Sequence, residues 1–255
     1  MTWNPERYLA FGDQRTRPAI DLMARVSLQQ ATRIADLGCG PGNATGLLVE
    51  RWPKAKVIGI DNSRDMLAKA AGSGIAATWV EAEIAAWAPQ HPLDLIYSNA
   101  ALHWLPDHQA LLPRLLGCLQ PGGVLAVQMP RNFEAPSHAL LRVTAESGPW
   151  ADRLAGGLDW RRVAAPEWYY DLLAPHAAVL DIWETVYLHV LDGEDPVLNW
   201  TRSTALRPIM QALDEEHRPA FEAAYAARLR EAYPRRADGQ TLFPFRRLFI
   251  VAQRS

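Results

Sequence analysis

The sequence predicts a doubly wound α/β protein with a mostly parallel, seven-stranded sheet and helical lid insertions. Three observations carry this. Short apolar strand signals alternate with helix signals through the first 130 residues, the mark of βαβ units. A turn containing Gly38, Gly40 and Gly42 joins the first strand to the next helix, and Asp61 ends the second strand about twenty residues on. Beyond residue 130 the alternation stops, and apolar strand signals return only near 179–191 and 248–252.

The elements follow in order. Arg17 to Val26 predicts a helix, with Pro18 in its first turn and Ile20, Leu22, Met23 and Val26 on one side. Arg33 to Leu37 is a short apolar strand. Asn43 to Trp52 is a helix with Leu47 and Leu48 inward, and Asn43 is expected to cap its start. Lys56 to Ile60 is the second strand, and Ser63 is expected to cap the helix carrying Met66, Leu67 and Ala70. Ala77 to Val80 is a weaker strand and Leu93 to Tyr97 a strong one. His108 to Leu119 is helical, with Leu111, Leu112, Leu115 and Leu116 as its core stripe. The turn Pro121-Gly122-Gly123 leads into a strand over Val124 to Met129. Val179 to Leu191 alternates and predicts a long strand. Asp195 to Tyr233 is helical in character, with Phe221, Tyr225 and Leu229 at four-residue spacing, and Leu248 to Ala252 is the final strand. The expected organisation is one domain: a helical cover over 1–30, a cofactor-binding core over 31–130, and substrate lids over 131–178 and 192–240.

Composition excludes several classes. Hydrophobic residues are 49% and charged residues 21% of 255, enough for a sizeable core. Lys plus Arg is 26 against 28 for Asp plus Glu, which argues against a general nucleic-acid grip. No apolar run approaches the ~20 residues of a membrane span, and Met1 to Phe11 holds no signal core, so a cytoplasmic protein without a membrane partner is expected. Cys39 and Cys118 are too few for a disulfide framework. His103 and His108 lack a third ligand in range, so no metal site is expected.

The segment Ile34-Ala35-Asp36-Leu37-Gly38-Cys39-Gly40-Pro41-Gly42-Asn43 brings a buried strand into a glycine turn and then a helix. Glycine permits positive φ and close approach of a ligand to the backbone. A dinucleotide fingerprint would place Gly or Ala at position 43, where Asn43 stands. Pro41 removes an N–H that a pyrophosphate would use. Asp61 suits a ribose diol. An adenosine without a pyrophosphate is therefore expected.

The spacing Asp-x-Gly-x-Gly-x-Gly from Asp36 resembles motif I of the class I methyltransferases, a Rossmann-like superfamily. Gly59-Ile60-Asp61-Asn62-Ser63 with Met66 resembles its second strand and following helix, Glu83-Ile84 the segment that meets the adenine amino group, and Asp94 to Ala100 the fourth strand. The match extends further. Arg15-x-Arg17-Pro18 with Tyr8, Ala100-x-x-His103-Trp104-Leu105-Pro106, Val127-Gln128-Met129-Pro130, Tyr169-Tyr170-Asp171, Asn199-Trp200, Leu206-Arg207-Pro208 and Arg247-Leu248-Phe249 resemble the trans-aconitate methyltransferases.

The resemblance implies S-adenosylmethionine as cofactor, S-adenosylhomocysteine as product, and methyl transfer to one carboxylate of a small polycarboxylate, trans-aconitate. It implies cofactor contacts at Asp36, Gly38, Gly40, Gly42, Asp61, Asn62, Met66, Glu83, Ile84, Asn99, Ala100, Arg17 and Tyr8. It implies substrate contacts at Arg207, Arg247, Tyr169, Tyr170, Trp200, His103 and Trp104. Of Tyr169 and Tyr170, neighbours in sequence, only one is expected to face the ligand. No acid–base residue is expected, because a carboxylate nucleophile is already ionised at neutral pH. Two other readings share the same cofactor domain: methylation of another acid, such as a malonyl thioester, and cofactor binding without turnover.

Overall fold

The computed structural model describes residues 16–155, 163–202 and 204–255. Its elements are α1 (Arg17–Ala24), β1 (Arg33–Leu37), α2 (Asn43–Arg51), β2 (Lys56–Asp61), α3 (Arg64–Ala71), β3 (Thr78–Glu81), β4 (Leu93–Asn99), a 3₁₀ turn (Leu102–Trp104), α4 (His108–Gly117), β5 (Leu119–Pro130), α5 (Pro136–Glu146), α6 (Ala151–Leu154), α7 (Pro166–Leu173), β6 (Ala177–Leu191), α8 (Pro196–Arg202), α9 (Leu206–Ala212), α10 (His217–Ala232) and β7 (Thr241–Arg254). The strands form one sheet in the order β3-β2-β1-β4-β5-β7-β6. β1 to β5 pair in parallel. β7 enters antiparallel beside β5, with Val124 opposite Gln253 and Pro130 opposite Arg247.

The chain divides into two compact units. The first comprises 1–130, 163–185 and 247–255, and the second 131–162 and 186–246. Residues 163–178, grouped with the lids on sequence, thus fall in the sheet unit. Strands β1, β4 and β5 are buried along most of their length because helices cover both faces of a parallel sheet, which is why they read as apolar runs. At the base of the sheet Asp94 Oδ2 accepts from the backbone N–H of Thr32 and Arg33 and from the Thr32 hydroxyl, each at 2.8 Å. Asp94 Oδ1 accepts from Gln120 Nε2 at 2.5 Å, so one carboxylate ties together the starts of β1, β4 and β5.

The second unit packs its helices around Leu141, Trp150, Leu206, Phe221, Tyr225 and Phe243. Trp150 meets Phe221 edge-on at 5.0 Å. Here the segment 195–233, helical in character as the sequence predicts, holds α8, α9 and α10. Leu213 is extended (ψ 145°), ending α9, and Asp214 then accepts from the His217 backbone N–H at 3.0 Å, starting α10.

Of the two expected caps, one forms and one does not. Ser63 accepts from the Met66 N–H at 3.4 Å and caps α3 as the sequence predicts. Asn43 does not cap α2. The cap position falls to Gly42, left-handed at φ 93°, and Asn43 is already the first helical residue. The last strand runs Thr241–Arg254, well beyond the apolar core 248–252.

Candidate active site

The glycine turn is held by its neighbours. Gly38 and Cys39 donate their N–H groups to the Ile60 carbonyl at 2.8 and 3.0 Å, anchoring the turn to the end of β2. Gly40 N–H donates to Asp61 Oδ2 at 2.9 Å, and Ser63 N–H to Asp61 Oδ1 at 2.9 Å. Asp61 therefore shapes the loop. A carboxylate has about four lone-pair sites, and these two bonds leave room for a diol.

Gly38 is required twice over. Its φ is +71°, and a Cβ there would lie 2.1 Å from the Ala101 Cβ. Ala101 is brought there by the end of β4, where Ala100 adopts φ 57°, rare for a residue other than glycine. The Ala100 N–H donates to the Gln128 carbonyl at 2.9 Å, holding this turn against β5. Gly40 lies at φ +53° with open space where a Cβ would stand, which is the cradle a nucleoside needs.

Asp36 is buried beneath the loop and accepts from the Thr45 hydroxyl at 2.6 Å. Burial pushes its carboxyl up to about 7, with the Thr45 bond opposing and the Asp61 charge adding to the rise. The same causes, burial first and then the Asp36 and Asp61 charges, push the Cys39 thiol up to about 12, so it is an inert packing group rather than a nucleophile.

Beside β2, Asn62 Nδ2 donates to Glu83 Oε1 at 3.1 Å, joining two of the expected cofactor-binding residues. Ile84 is buried, and Arg114 of α4 donates to the Ile84 and Trp87 carbonyls at 2.9 and 2.6 Å, fixing the segment that carries both. Met66 is exposed. Trp79 of β3 escaped sequence reading. Its ring lies behind the loop, 2.5 Å from where a Gly59 Cβ would be. A glycine on β2 facing a tryptophan on β3 was the available signal.

The other predicted residues distribute unevenly. Arg17 is exposed and pairs with Asp21 at 3.8 Å, while Tyr8 lies outside the described residues. The His103 and Trp104 rings meet at a tilt of 41° in the 3₁₀ turn after β4, with centroids 4.7 Å apart, and Trp104 is exposed. The tyrosine pair is separated clearly: Tyr170 is 56% exposed and Tyr169 is 0% exposed. His108 Nε2 must donate to the Leu102 carbonyl (2.9 Å), so its Nδ1 accepts from the Tyr169 hydroxyl (2.7 Å). The Ala164 N–H donates to the same hydroxyl at 3.3 Å. Tyr169 thus links α4 to α7 through its hydroxyl, a packing role. Arg207 and Trp200 belong to the second unit. Arg207 is exposed in the first turn of α9, and Trp200 packs on His189 at 4.6 Å. Arg247 belongs to the sheet unit and is 6% exposed. It donates from Nη1 to Gln128 Oε1 at 3.3 Å. Among the described residues no group of three His, Cys, Asp or Glu side chains could hold a metal, and no helix is long and apolar enough to cross a membrane.

A trans-aconitate 2-methyltransferase of Azoarcus sp. is 54% identical over 253 residues, covering 99% of this chain and 99% of that one. The chain belongs to the trans-aconitate 2-methyltransferase family. Family members from Methylobacterium radiotolerans and Variovorax paradoxus are 49% and 48% identical, covering 99% and 100% of this chain and 98% and 99% of theirs. Residues 34–123, the stretch from β1 to the turn within β5, match the methyltransferase domain family model. Among solved structures, an S-adenosylmethionine dependent methyltransferase from Mesorhizobium loti is 23% identical with a TM-score of 0.53, covering 94% of this chain and 98% of that one. The YcgJ protein of Bacillus subtilis is 14% identical with a TM-score of 0.58, covering 93% and 98%. These two likenesses show a shared α/β fold, and the domain match together with the relatives places the chain in the class I methyltransferase superfamily.

Proposed function

We propose that this chain uses S-adenosylmethionine to methylate one carboxylate of trans-aconitate. The observation that carries the cofactor half is the pairing of Asp61 with an open glycine cradle: its carboxylate is fixed by Gly40 and Ser63 while lone pairs remain for a ribose diol. A second fit lies at the end of β4. Asn99 Oδ1 is buried and has no hydrogen-bond partner among the described residues. A buried orphan acceptor calls for an N–H donor, and the ammonium of the cofactor's methionine portion is one.

S-adenosylmethionine, when bound, supplies a methyl group on a sulfonium: a substrate carboxylate oxygen forms the new O–CH₃ bond as the S–CH₃ bond breaks, leaving a monomethyl ester and S-adenosylhomocysteine. The chain's own task is to bind and orient. The attacking carboxylate is ionised at neutral pH, so no residue need remove a proton. Positive and negative charge cancel as the bond forms, so residues that exclude water favour the step. Orientation of the carboxylate in line with the S–CH₃ bond supplies the rest. Arg247 is the cation in the sheet unit that suits a second carboxylate of the substrate, and Arg207 carries the same expectation from the family resemblance. The test is transfer of a tritiated methyl group to trans-aconitate, cis-aconitate, citrate, itaconate and a malonyl thioester. Labelled ester should form best from trans-aconitate. Label entering the thioester instead would overturn the reading.

A further inference from the structure

Gln128 interrupts an otherwise apolar strand. Val124, Leu125, Ala126, Val127 and Met129 are buried around it, and Gln128 itself is 0% exposed. A polar side chain in such a strand needs a purpose, because burying an unpaired amide is costly. Register places it beside Asn99 of β4 and Phe249 of β7, with Arg247 two residues along β7 from Phe249. Paired residues share a face of the sheet. Asn99, Gln128 and Arg247 therefore lie on one face, at the carboxyl ends of β4 and β5 where open α/β sheets bind ligands.

The hydrogen bonding has a direction. A guanidinium only donates, so the Arg247 bond at 3.3 Å fixes the Gln128 amide with Oε1 toward the arginine. Nε2 is then turned the other way. It is buried and has no hydrogen-bond partner among the described residues. The unsatisfied Nε2 donor of Gln128 thus belongs to the same hydrogen-bonded pair as the Arg247 guanidinium, and a group that accepts from Nε2 while its charge suits the arginine is a planar anion with acceptor oxygens.

We propose that Gln128 and Arg247 form a single receptor for a substrate carboxylate that does not react, with Gln128 a specificity-determining residue in direct contact with it. The proposal rests on the trans-aconitate reading and deepens it. A receptor built of donors is suited to a spectator group. Charge leaves the attacking oxygen in the transition state, so donors on that oxygen would hold the ground state more tightly than the transition state and slow the step. On a spectator carboxylate the charge persists, and the grip is equal throughout. Glutamine also explains itself against glutamate: a carboxylate at 128 would pair with Arg247 and occupy the receptor from within.

The experiment compares wild type with Gln128→Met, Gln128→Glu and Arg247→Ala. It measures kcat and KM for trans-aconitate, the Kd for trans-aconitate by calorimetry on protein saturated with S-adenosylhomocysteine, and the Kd for S-adenosylhomocysteine. Gln128→Met should raise KM and Kd for trans-aconitate about 10- to 100-fold, the loss of one bond to a charged group, while kcat changes little. Gln128→Glu, nearly isosteric, should bind trans-aconitate more weakly than Gln128→Met. Binding of S-adenosylhomocysteine should be retained by both, which verifies that they fold. Unchanged KM and Kd in Gln128→Met, with Arg247→Ala impaired, would overturn the role of Gln128 and leave the carboxylate-binding reading standing. A fall in kcat with KM unchanged would place Gln128 on the reacting group and overturn the spectator assignment. Unchanged kcat/KM in Arg247→Ala would overturn the underlying reading itself.

Discussion

Replacing Asp61 by asparagine separates two tasks of one carboxylate. In wild type its oxygens accept from Gly40 and Ser63, each at 2.9 Å. Asparagine has one acceptor oxygen and an NH₂ group. One of the two backbone donors therefore faces another donor and loses its acceptor, at about 1–3 kcal/mol, and the other bond falls from charge-assisted to neutral, at about 1 kcal/mol. Without ligand, Asp61→Asn should thus be destabilised by roughly 2–4 kcal/mol, less where water reaches the freed N–H. The ribose adds a separate loss. A carboxylate retains about two lone pairs after serving Gly40 and Ser63, and the amide oxygen retains about one. One charge-assisted bond to the diol is worth about 1.5–3 kcal/mol, so the Kd for S-adenosylhomocysteine should rise about 10- to 150-fold. Denaturant unfolding without ligand reads the first quantity and calorimetric titration reads the second. Unaltered unfolding would show that Asp61 does not hold the glycine turn. Unaltered affinity would move the ribose elsewhere.

The other perturbations address the scaffold. Asp36 has a folded-state pKa raised to about 7, so between about pH 4 and 7 the folded chain holds a proton that the unfolded chain has released. Wild-type stability should fall as pH rises through that window, by up to roughly 4 kcal/mol, and then level off. Asp36→Asn should flatten that slope, and an identical pH dependence of its unfolding midpoint would remove Asp36 as the cause. For Asp94, burial alone would raise the carboxyl, but hydrogen bonds from Thr32 and Arg33 outweigh it and hold the pKa below the usual range. Its contribution is then present above about pH 4 and lost as pH falls through the lowered value, and Asp94→Asn should cost about 2–4 kcal/mol near neutrality with cofactor affinity intact. Tyr169→Phe should lower stability by about 1–3 kcal/mol, read from the unfolding midpoint, because His108 Nδ1 and the Ala164 N–H lose their partner. A loss of trans-aconitate binding in Tyr169→Phe without a loss of stability would reverse its assignment to packing.

Much of the scaffold was legible because its signals are local. The runs at β1, β4 and β5 are apolar on both faces, and the Ser63 cap depends on residues within one turn. The glycine turn and Asp61 could be joined because βαβ geometry fixes their separation. Less was legible where neighbours decide. Asn43 has the right chemistry for a cap, but Pro41-Gly42 brings the chain in left-handed and passes the cap position to Gly42. Residues 195–233 have helical composition throughout, yet the extended Leu213 and the Asp214 side chain divide them. Tyr169 matched a family segment, but no periodicity could show that its hydroxyl meets His108, distant in sequence. Arg247 was legible as a cation on the last strand. Its partner Gln128 was not, because that pairing depends on β7 returning antiparallel beside β5.

That return has a consequence for synthesis. β7 is the last strand made, yet its place is between β5 and β6, both completed earlier. A chain emerging from the ribosome can zip β1 to β5 as they appear, but β5 must wait with one edge open until residues 241–254 arrive. An open strand edge in a nascent chain is a template for unwanted pairing with other chains. The edge kept waiting includes Val124 to Met129, among the most apolar runs in the molecule. The interval before β7 closes the gap is thus when this protein is most exposed to aggregation, and when chaperone capacity would govern its yield.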